Sequence, residues 1–256
     1  MVQRAVVMIL EAIFAPDVHA FSHGFRKGHR QHQALHELRE QCRTLHINWR
    51  VEADVSGFCD NLDWSHWRAF IQHRVSEGGI LRLLGKWLHA GVLEAGVLRH
   101  LDKGRPQGGV IAPMLAHVFL HQVLDEWFVK DVQPRMKGRC FLTRCADDCI
   151  IGFELEADAR RVMQVLPKRF SRFRLTIHPD KTVLVECKKP PDRERSAHSK
   201  GTFDFLGLTH YWAKTRRGDW VIKRKTVGKR LRRFMKEIWT WCRENRHEPL
   251  QEPYRT

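Results

Sequence analysis

Asp147 and Asp148 stand side by side between two apolar runs, Cys140-Phe-Leu-Thr-Arg-Cys145 and Cys149-Ile-Ile-Gly-Phe153. Tight hairpins ordinarily turn through Asn-Gly, Asp-Gly or Gly-rich pairs, and an Asp-Asp pair lacks that chemistry. Two adjacent anions repel, and both are out of place beside apolar strands unless cations hold them. A hairpin tipped with two carboxylates is therefore a candidate for binding a hard divalent metal through oxygen. Upstream, Asp54 closes a second alternating run, Val51-Glu-Ala-Asp54, and Gly57 lets the backbone turn sharply after it. With that strand beside the hairpin, Asp54, Asp147 and Asp148 would share one cleft. Three carboxylates can hold two Mg²⁺ ions that clamp the attacking and leaving oxygens of an in-line phosphoryl transfer. Such chemistry needs positioning and charge neutralisation more than a dedicated nucleophile. The lack of a Ser-His-Asp or Cys-His signature is no objection to it.

The elements that must position these acids are legible as periodicity. Val6, Val7, Ile9, Leu10, Ile13 and Phe14 predict an opening helix ended by Pro16. Phe21 to Arg30 reads as a basic loop punctuated by glycine, leading into a helix with a stripe of Leu35, Leu38, Cys42 and Leu45. Trp49 to Val55 alternates as a strand. The stretches 62–76 and 80–92 read as helices, with Trp64, Trp67, Ile71, Leu83, Leu84, Trp87 and Leu88 facing inward. A short hairpin fits around Ala95-Gly96. Pro106-Gln-Gly-Gly109 breaks the chain before an apolar helix over about 113–130. After the Asp-Asp hairpin come a helix near 156–170, then short strands near 174–177, 183–186, 203–206, 208–212 and 220–224. A basic amphipathic helix from Thr226 to Arg246 follows, and Lys188 to Gly201 reads as an exposed loop. Helices interleaved with hairpin-joined strands predict an α+β fold, an antiparallel sheet flanked by helices.

Charge narrows the partners. Against 29 Asp+Glu stand 45 Lys+Arg, a formal +16 at pH 7 over 256 residues. That balance suits a polyanion, because cations that neutralise phosphates release condensed counterions. A merely basic, soluble surface and an anionic membrane are the alternatives. No apolar run approaches the ~20 residues that span a bilayer, and no signal peptide precedes the first segment, so no membrane partner is expected. The seven cysteines form no C-x-x-C pair. Several lie in apolar runs as small hydrophobes, and a reducing, cytoplasmic compartment is expected. His29, His32 and His36 could share a helix face, but without a Cys or acidic partner at ligand spacing they read as surface histidines.

Order and company then carry more than any motif alone. The Asp54 strand end, Gly104-Arg-Pro-Gln-Gly-Gly-Val110, Ala146-Asp-Asp148, Leu175-Thr-Ile-His-Pro-Asp-Lys-Thr182 and Gly201-Thr-Phe-Asp-Phe-Leu-Gly207 follow one another in one basic chain. In that order they resemble the right-hand polymerase palm of a reverse transcriptase, in particular the bacterial group II intron-encoded type. The basic loop Gly24-Phe-Arg-Lys-Gly-His-Arg30 points to the same branch. The resemblance covers nearly the whole chain and implies an RNA-directed DNA polymerase using two Mg²⁺. Its implied partners are a structured intron RNA template, a DNA primer and dNTPs, with a maturase role beside polymerisation, in a bacterial cytoplasm.

Carried over residue by residue, the resemblance makes Asp54 and Asp147 the metal ligands and Asp148 the third acid, with the Val55 carbonyl completing one coordination sphere. Cys59, Gln107, Gly108 and Lys181 would border the nucleotide. Phe205, Leu206 and Gly207 would form the turn under the primer terminus, and Arg26 and Arg30 would lie on the template side. The implied lobes are partial fingers and palm entry over 1–48, palm over 49–225, and a truncated thumb start over 226–256. By the family pattern, the rest of the fingers and thumb are expected to lie outside this chain.

Three positions depart from the pattern. Cys145 stands where the family usually has an aromatic residue, most often Tyr, and Cys149 where Phe is common. Cys59 takes the place of the aromatic that stacks under the sugar and excludes a 2′-hydroxyl. Two alternatives therefore stay open: an impaired fragment that only binds intron RNA, and a reverse transcriptase of the retron or diversity-generating type.

Overall fold

The computed structural model describes residues 1–53, 55–56, 64–89, 92–94, 97–99, 110–178, 182–190 and 201–247. They fall into two compact units, Met1–Lys189 and Pro190–Thr256.

In the first unit, α1 (Val2–Phe14) buries Val6, Val7, Leu10 and Phe14 and stops at a 3-10 turn carrying Pro16. After the basic loop, α2 (Gln31–Thr44) buries Ala34, Leu35, Leu38 and Cys42. Strand β1 (Trp49–Ala53) is followed by β2 (Val55–Ser56), α3 (Trp64–Gln72), α4 (Gly78–His89), β3 (Val92–Glu94) and β4 (Val97–Arg99). The strands on either side of the expected 95–96 turn, β3 and β4, pair antiparallel, and the turn itself lies outside the described residues. Trp67, Ile71 and Leu84 are buried as the periodicity required, and Leu83 and Trp87 pack partly buried against the core.

The apolar helix expected over about 113–130 begins as α5 (Ala112–Leu120) and then changes character. Two π-helical turns, His121–Asp125 and Phe128–Val132, follow it before a 3-10 end at Gln133–Arg135. Then come β5 (Cys140–Cys145), β6 (Asp148–Phe153), α6 (Glu156–Ser171), β7 (Thr176–Ile177) and β8 (Val183–Glu186). Four of these strands make one antiparallel sheet in the order β5-β6-β1-β8. Leu142, Ile151, Val51 and Leu184 lie opposite one another across it, and this row joins α1, α5 and α6 in the main core. Strand β5 is buried along its whole length, because the opposite face is also covered. There Thr143 donates to Gln41 of α2 at 3.1 Å. Strand β2 leaves this sheet and pairs instead with β7, Val55 opposite Ile177.

The second unit is a three-stranded antiparallel meander of β9 (Phe203–Phe205), β10 (Leu208–Lys214) and β11 (Trp220–Thr226), followed by α7 (Gly228–Asn245). Leu231, Phe234, Ile238 and Trp241 of α7 are all exposed. The architecture is mixed helix and antiparallel sheet, the α+β class expected from the interleaving of periodicities.

Candidate active site

The carboxylate hairpin turns one residue earlier than its sequence suggests. Cys145 pairs with Asp148 as the last rung between β5 and β6, so the two turn residues are Ala146 and Asp147. Ala146 sits at φ 61°, the left-handed region that tight hairpins demand and that glycine or asparagine usually fills. An alanine there is strained by roughly 1–2 kcal/mol, so its surroundings must hold it.

Three contacts do so. Nη1 of Arg144 donates to the Ala146 carbonyl at 2.9 Å. Its Nε and Nη2 grip both oxygens of Asp125 at 2.7 and 2.5 Å, and the side chains of this pair are fully buried. Against the outer edge of β5 lies the basic loop. The amide of Arg144 donates to Phe21 at 3.0 Å and the amide of His23 donates to Arg144 at 2.8 Å, with Ser22 bridging in parallel. Gly24 then comes so close that a Cβ there would stand 2.1 Å from the Ala146 nitrogen. The basic loop, expected on the template side, therefore also shields the sheet edge and buttresses the turn.

Asp147 and Asp148 are exposed at this tip. The two thiols beside them are not. Burial raises the Cys145 thiol above its usual range, with the Asp148 and Asp147 charges adding to the effect. Burial likewise pushes Cys149 up to about 12. Both thiols are buried while the two carboxylates are exposed, so the donors that reach solvent at the tip are carboxylate oxygens, a set that fits a hard ion such as Mg²⁺.

Cys149 also ties the tip to β1. It pairs with Ala53, the last residue of that strand, and its thiol faces the Ala53 carbonyl at 3.7 Å. Ala53 and Val55 flank Asp54 covalently, and they belong to two different ladders. Asp54 itself lies outside the described residues, as do Cys59, Gln107, Gly108 and Lys181. Val55 is buried and paired with Ile177.

The remaining expected site residues divide between the units. Arg26 donates through Nη1 to the carbonyls of His19 and Ser22 at 3.1 and 3.0 Å, bracing its own loop. Arg30 is exposed before α2, its amide donating to Gln33 at 2.7 Å. In the second unit Leu206 and Gly207 form the β9–β10 turn at φ 52° and 78°. Phe205, the last residue of β9, is buried. The carbonyl of Gly207 accepts from Val227 at 3.2 Å, and a Cβ on Gly207 would meet Arg230 at 2.2 Å. That turn is thus packed against the start of α7. Among the surface histidines, His32 and His36 are exposed, and His29 lies 3.3 Å from His23.

Sequence reasoning missed Asp125 and Gly24 as parts of this arrangement. Asp125 is hidden in an apolar helix with nothing local to pair it to Arg144. The alternation of β5 did hold a signal, since it directs Arg144 to the same face as Leu142.

Comparison with known proteins agrees with the geometry. The chain is 33% identical over 124 residues to Protein YkfC of Escherichia coli K12, a match covering 47% of this chain and 32% of that protein. It is 34% identical over 130 residues to the group II intron-encoded protein LtrA of Lactococcus lactis, covering 51% of this chain and 21% of that one. The matched stretches thus span about a third and about a fifth of those relatives. Telomerase from Candida albicans, solved with a fragment of telomeric RNA, superposes over 84% of this chain and 38% of its own with a TM-score of 0.64 at 14% identity. Apo telomerase from Candida tropicalis does so over 87% and 45% with a TM-score of 0.61 at 12% identity. At these identities the likeness concerns the fold. The family model for reverse transcriptase (RNA-dependent DNA polymerase) matches residues 1–210, and the chain belongs to that family.

Proposed function

We propose that this chain is the polymerase core of an RNA-directed DNA polymerase of the group II intron type, extending a DNA primer on an RNA template. The observation that carries the reading is the braced hairpin tip. It presents Asp147 and Asp148 beside the strand end whose next residue is Asp54, with oxygen donors only. Asp54, Asp147 and Asp148, together with the Val55 carbonyl, would hold two Mg²⁺ ions. When bound, the pair supplies charge neutralisation at the attacking 3′-oxygen and at the departing pyrophosphate. The chain's own residues do the positioning. Gln107, Gly108 and Lys181 would border the incoming nucleotide, and Cys59 would lie under its sugar. Arg30 and the loop carrying Arg26 would face the template, and the Phe205-Leu206-Gly207 turn would support the primer end. We keep the lobe assignment of fingers and palm entry over 1–48, palm over 49–225 and thumb start over 226–256.

A second reading, intron-RNA binding without turnover, draws support from the small thiols of Cys145 and Cys149 where bulk would pack. The exposed helix α7 adds to it, with Lys229, Arg230, Arg232, Arg233 and Lys236 among its cations. Primer extension on an RNA template with Mg²⁺ separates the two, comparing wild type with Asp147→Asn. Because Asp147 is exposed, the variant should fold normally and lose template-directed incorporation by roughly 10³-fold or more, about 4 kcal/mol of transition-state stabilisation. Background-level incorporation by both proteins, with RNA binding intact, would leave only the binding role. That binding should weaken steeply with salt, as phosphate neutralisation requires.

A further inference from the structure

Away from the carboxylate tip, the first π-helical turn creates a cluster that polymerase chemistry does not use. Among the described residues, His19, His121 and Glu126 are the one group of three His, Cys, Asp or Glu side chains whose donor atoms converge, all within 4.8 Å of one another. Residues five apart, such as His121 and Glu126, diverge on an α-helix. Here the backbone N–H of Glu126 bonds to the carbonyl of His121, the i to i+5 pattern of a π-helix, and both side chains come to one side. Turns of this kind are rare and are found frequently at functional sites.

The convergence is on a single oxygen. His19 Nε2 lies 2.8 Å and His121 Nε2 3.7 Å from Glu126 Oε1, whereas Lys130 pairs with the other oxygen, Oε2. The His19 and His121 rings stand 5.4 Å apart, and His19 is stacked on Phe21 at 5.1 Å. A support lies behind the cluster. His121 Nδ1 has no hydrogen-bond partner and faces Asp125 Oδ2 at 3.6 Å, and Asp125 is itself locked by Arg144. Metal-bound histidines commonly direct their second nitrogen at a carboxylate in this way, which fixes the tautomer and raises ligand basicity. The His19 and Glu126 side chains are 27% and 20% exposed and that of His121 is 4% exposed, so an ion could enter from one side and keep a water there.

We propose that His19, His121 and Glu126 form a binding site for a borderline transition-metal dication of the Zn²⁺ type. Two imidazoles and one carboxylate suit Zn²⁺ with one open position, and a tetrahedral set at about 3.3 Å donor separation needs the His19–Glu126 pair to open from 2.8 Å and the His121–Glu126 pair to close from 3.7 Å. Each imidazole binds through the lone pair of Nε2 and carries its proton on Nδ1, which for His121 points at Asp125. The ion would pin the 15–19 turn to the helix that holds Asp125 and, through it, Arg144.

The test is titration of the untagged, EDTA-stripped chain with Co²⁺, read as visible d–d absorption, with Zn²⁺ competition giving the affinity. Wild type should take one ion in a tetrahedral environment. His19→Ala and Glu126→Gln should each lose at least roughly 10–100-fold in affinity, the range lost when even a supporting partner of a ligand is removed. His19 is on a partly exposed turn, so its removal should leave the fold intact by circular dichroism. Lys130→Ala should instead tighten binding, because it releases the carboxylate from a competing cation. His32→Ala serves as the control for adventitious surface binding. No stoichiometric tetrahedral Co²⁺ spectrum in wild type, or one indifferent to both His19→Ala and Glu126→Gln, would overturn the site.

Discussion

The buried pair Arg144–Asp125 makes the sharpest test of how the hairpin tip is held, and Asp125→Asn is the perturbation. Asparagine keeps the shape but removes the charge, leaving a fully buried guanidinium without its counter-ion. Breaking such a pair from one side costs about 3–5 kcal/mol. At roughly 2–4 °C per kcal/mol for a chain of this size, the melting temperature should fall by roughly 6–20 °C. The same pair sets an acid limit. Burial is the largest single influence and opposes ionisation of Asp125, but the Arg144 charge and hydrogen bond together with His121 outweigh it. The net effect holds the carboxyl at about 2 against an ordinary 3.8. A depressed folded pKa gives stability that is complete above about pH 4 and is lost as pH falls toward 2. The difference is worth roughly 2–3 kcal/mol. This is less than the truncation cost, because protonation leaves a hydrogen-bonding acid in place and the asparagine variant leaves a mismatched amide. The assay is thermal unfolding by near-UV circular dichroism from pH 7 to 3, in EDTA so that no bound metal contributes. Asp125→Leu/Arg144→Met should recover most of the loss, since hydrophobic replacement of a whole buried pair is often neutral. An Asp125→Asn protein melting within about 2 °C of wild type, with unchanged acid sensitivity, would refute the brace.

Gly24→Ala should damage function more than stability. Its Cβ would stand 2.1 Å from Ala146 N and 2.7 Å from Ala146 Cα, backbone that cannot yield without moving the tip. Misplacement of reacting groups by about 1 Å costs on the order of 100-fold, so Mg²⁺-dependent extension should drop roughly 10–100-fold at unchanged RNA affinity, and wild-type kinetics would exclude the buttress. Gly152→Ala should do the reverse. Its Cβ would meet the buried Phe141 ring at 2.2 Å, an overpacking worth about 1–3 kcal/mol, relieved in the double variant with Phe141→Leu; a melting temperature unaffected by the single change would contradict it. Cys59→Phe should sharpen the preference for dNTP over rNTP by roughly 10-fold or more, the scale of a steric pocket difference. Equal preference in the two proteins would remove the sugar-packing idea.

Much of this was written in local pattern. The stripe of α2 survived folding because it follows from one periodicity and one buried face, whereas β1 buries consecutive Arg50 and Val51 and so hides its alternation. Ala146-Asp147-Asp148 stands out by its place in the order of motifs, since a strand-end Asp by itself is ordinarily a solvated turn residue. Elements whose character depends on distant partners were not legible. The stretch after His121 reads as a plain apolar helix, and nothing in its periodicity announces an i to i+5 register. The exposed apolar residues of α7 show the opposite limit, where a clear helical stripe does not by itself say what it packs on.

The turn explains why the legible and the hidden parts belong together. A carboxylate tip can serve a metal only if its acids reach solvent, so side-chain packing on the acids cannot be what fixes their position. The main chain must do it, at a residue whose φ of 61° is itself unfavourable. Here that backbone is held from one side by Gly24 of a loop more than a hundred residues earlier and from beneath by Arg144 through Asp125. Each hold joins the tip to a segment outside the hairpin, which is why the hairpin is legible by inspection and its support is not. It also follows that the least acid-like residues near the tip, an alanine and a glycine, constrain its geometry as tightly as the acids define its chemistry.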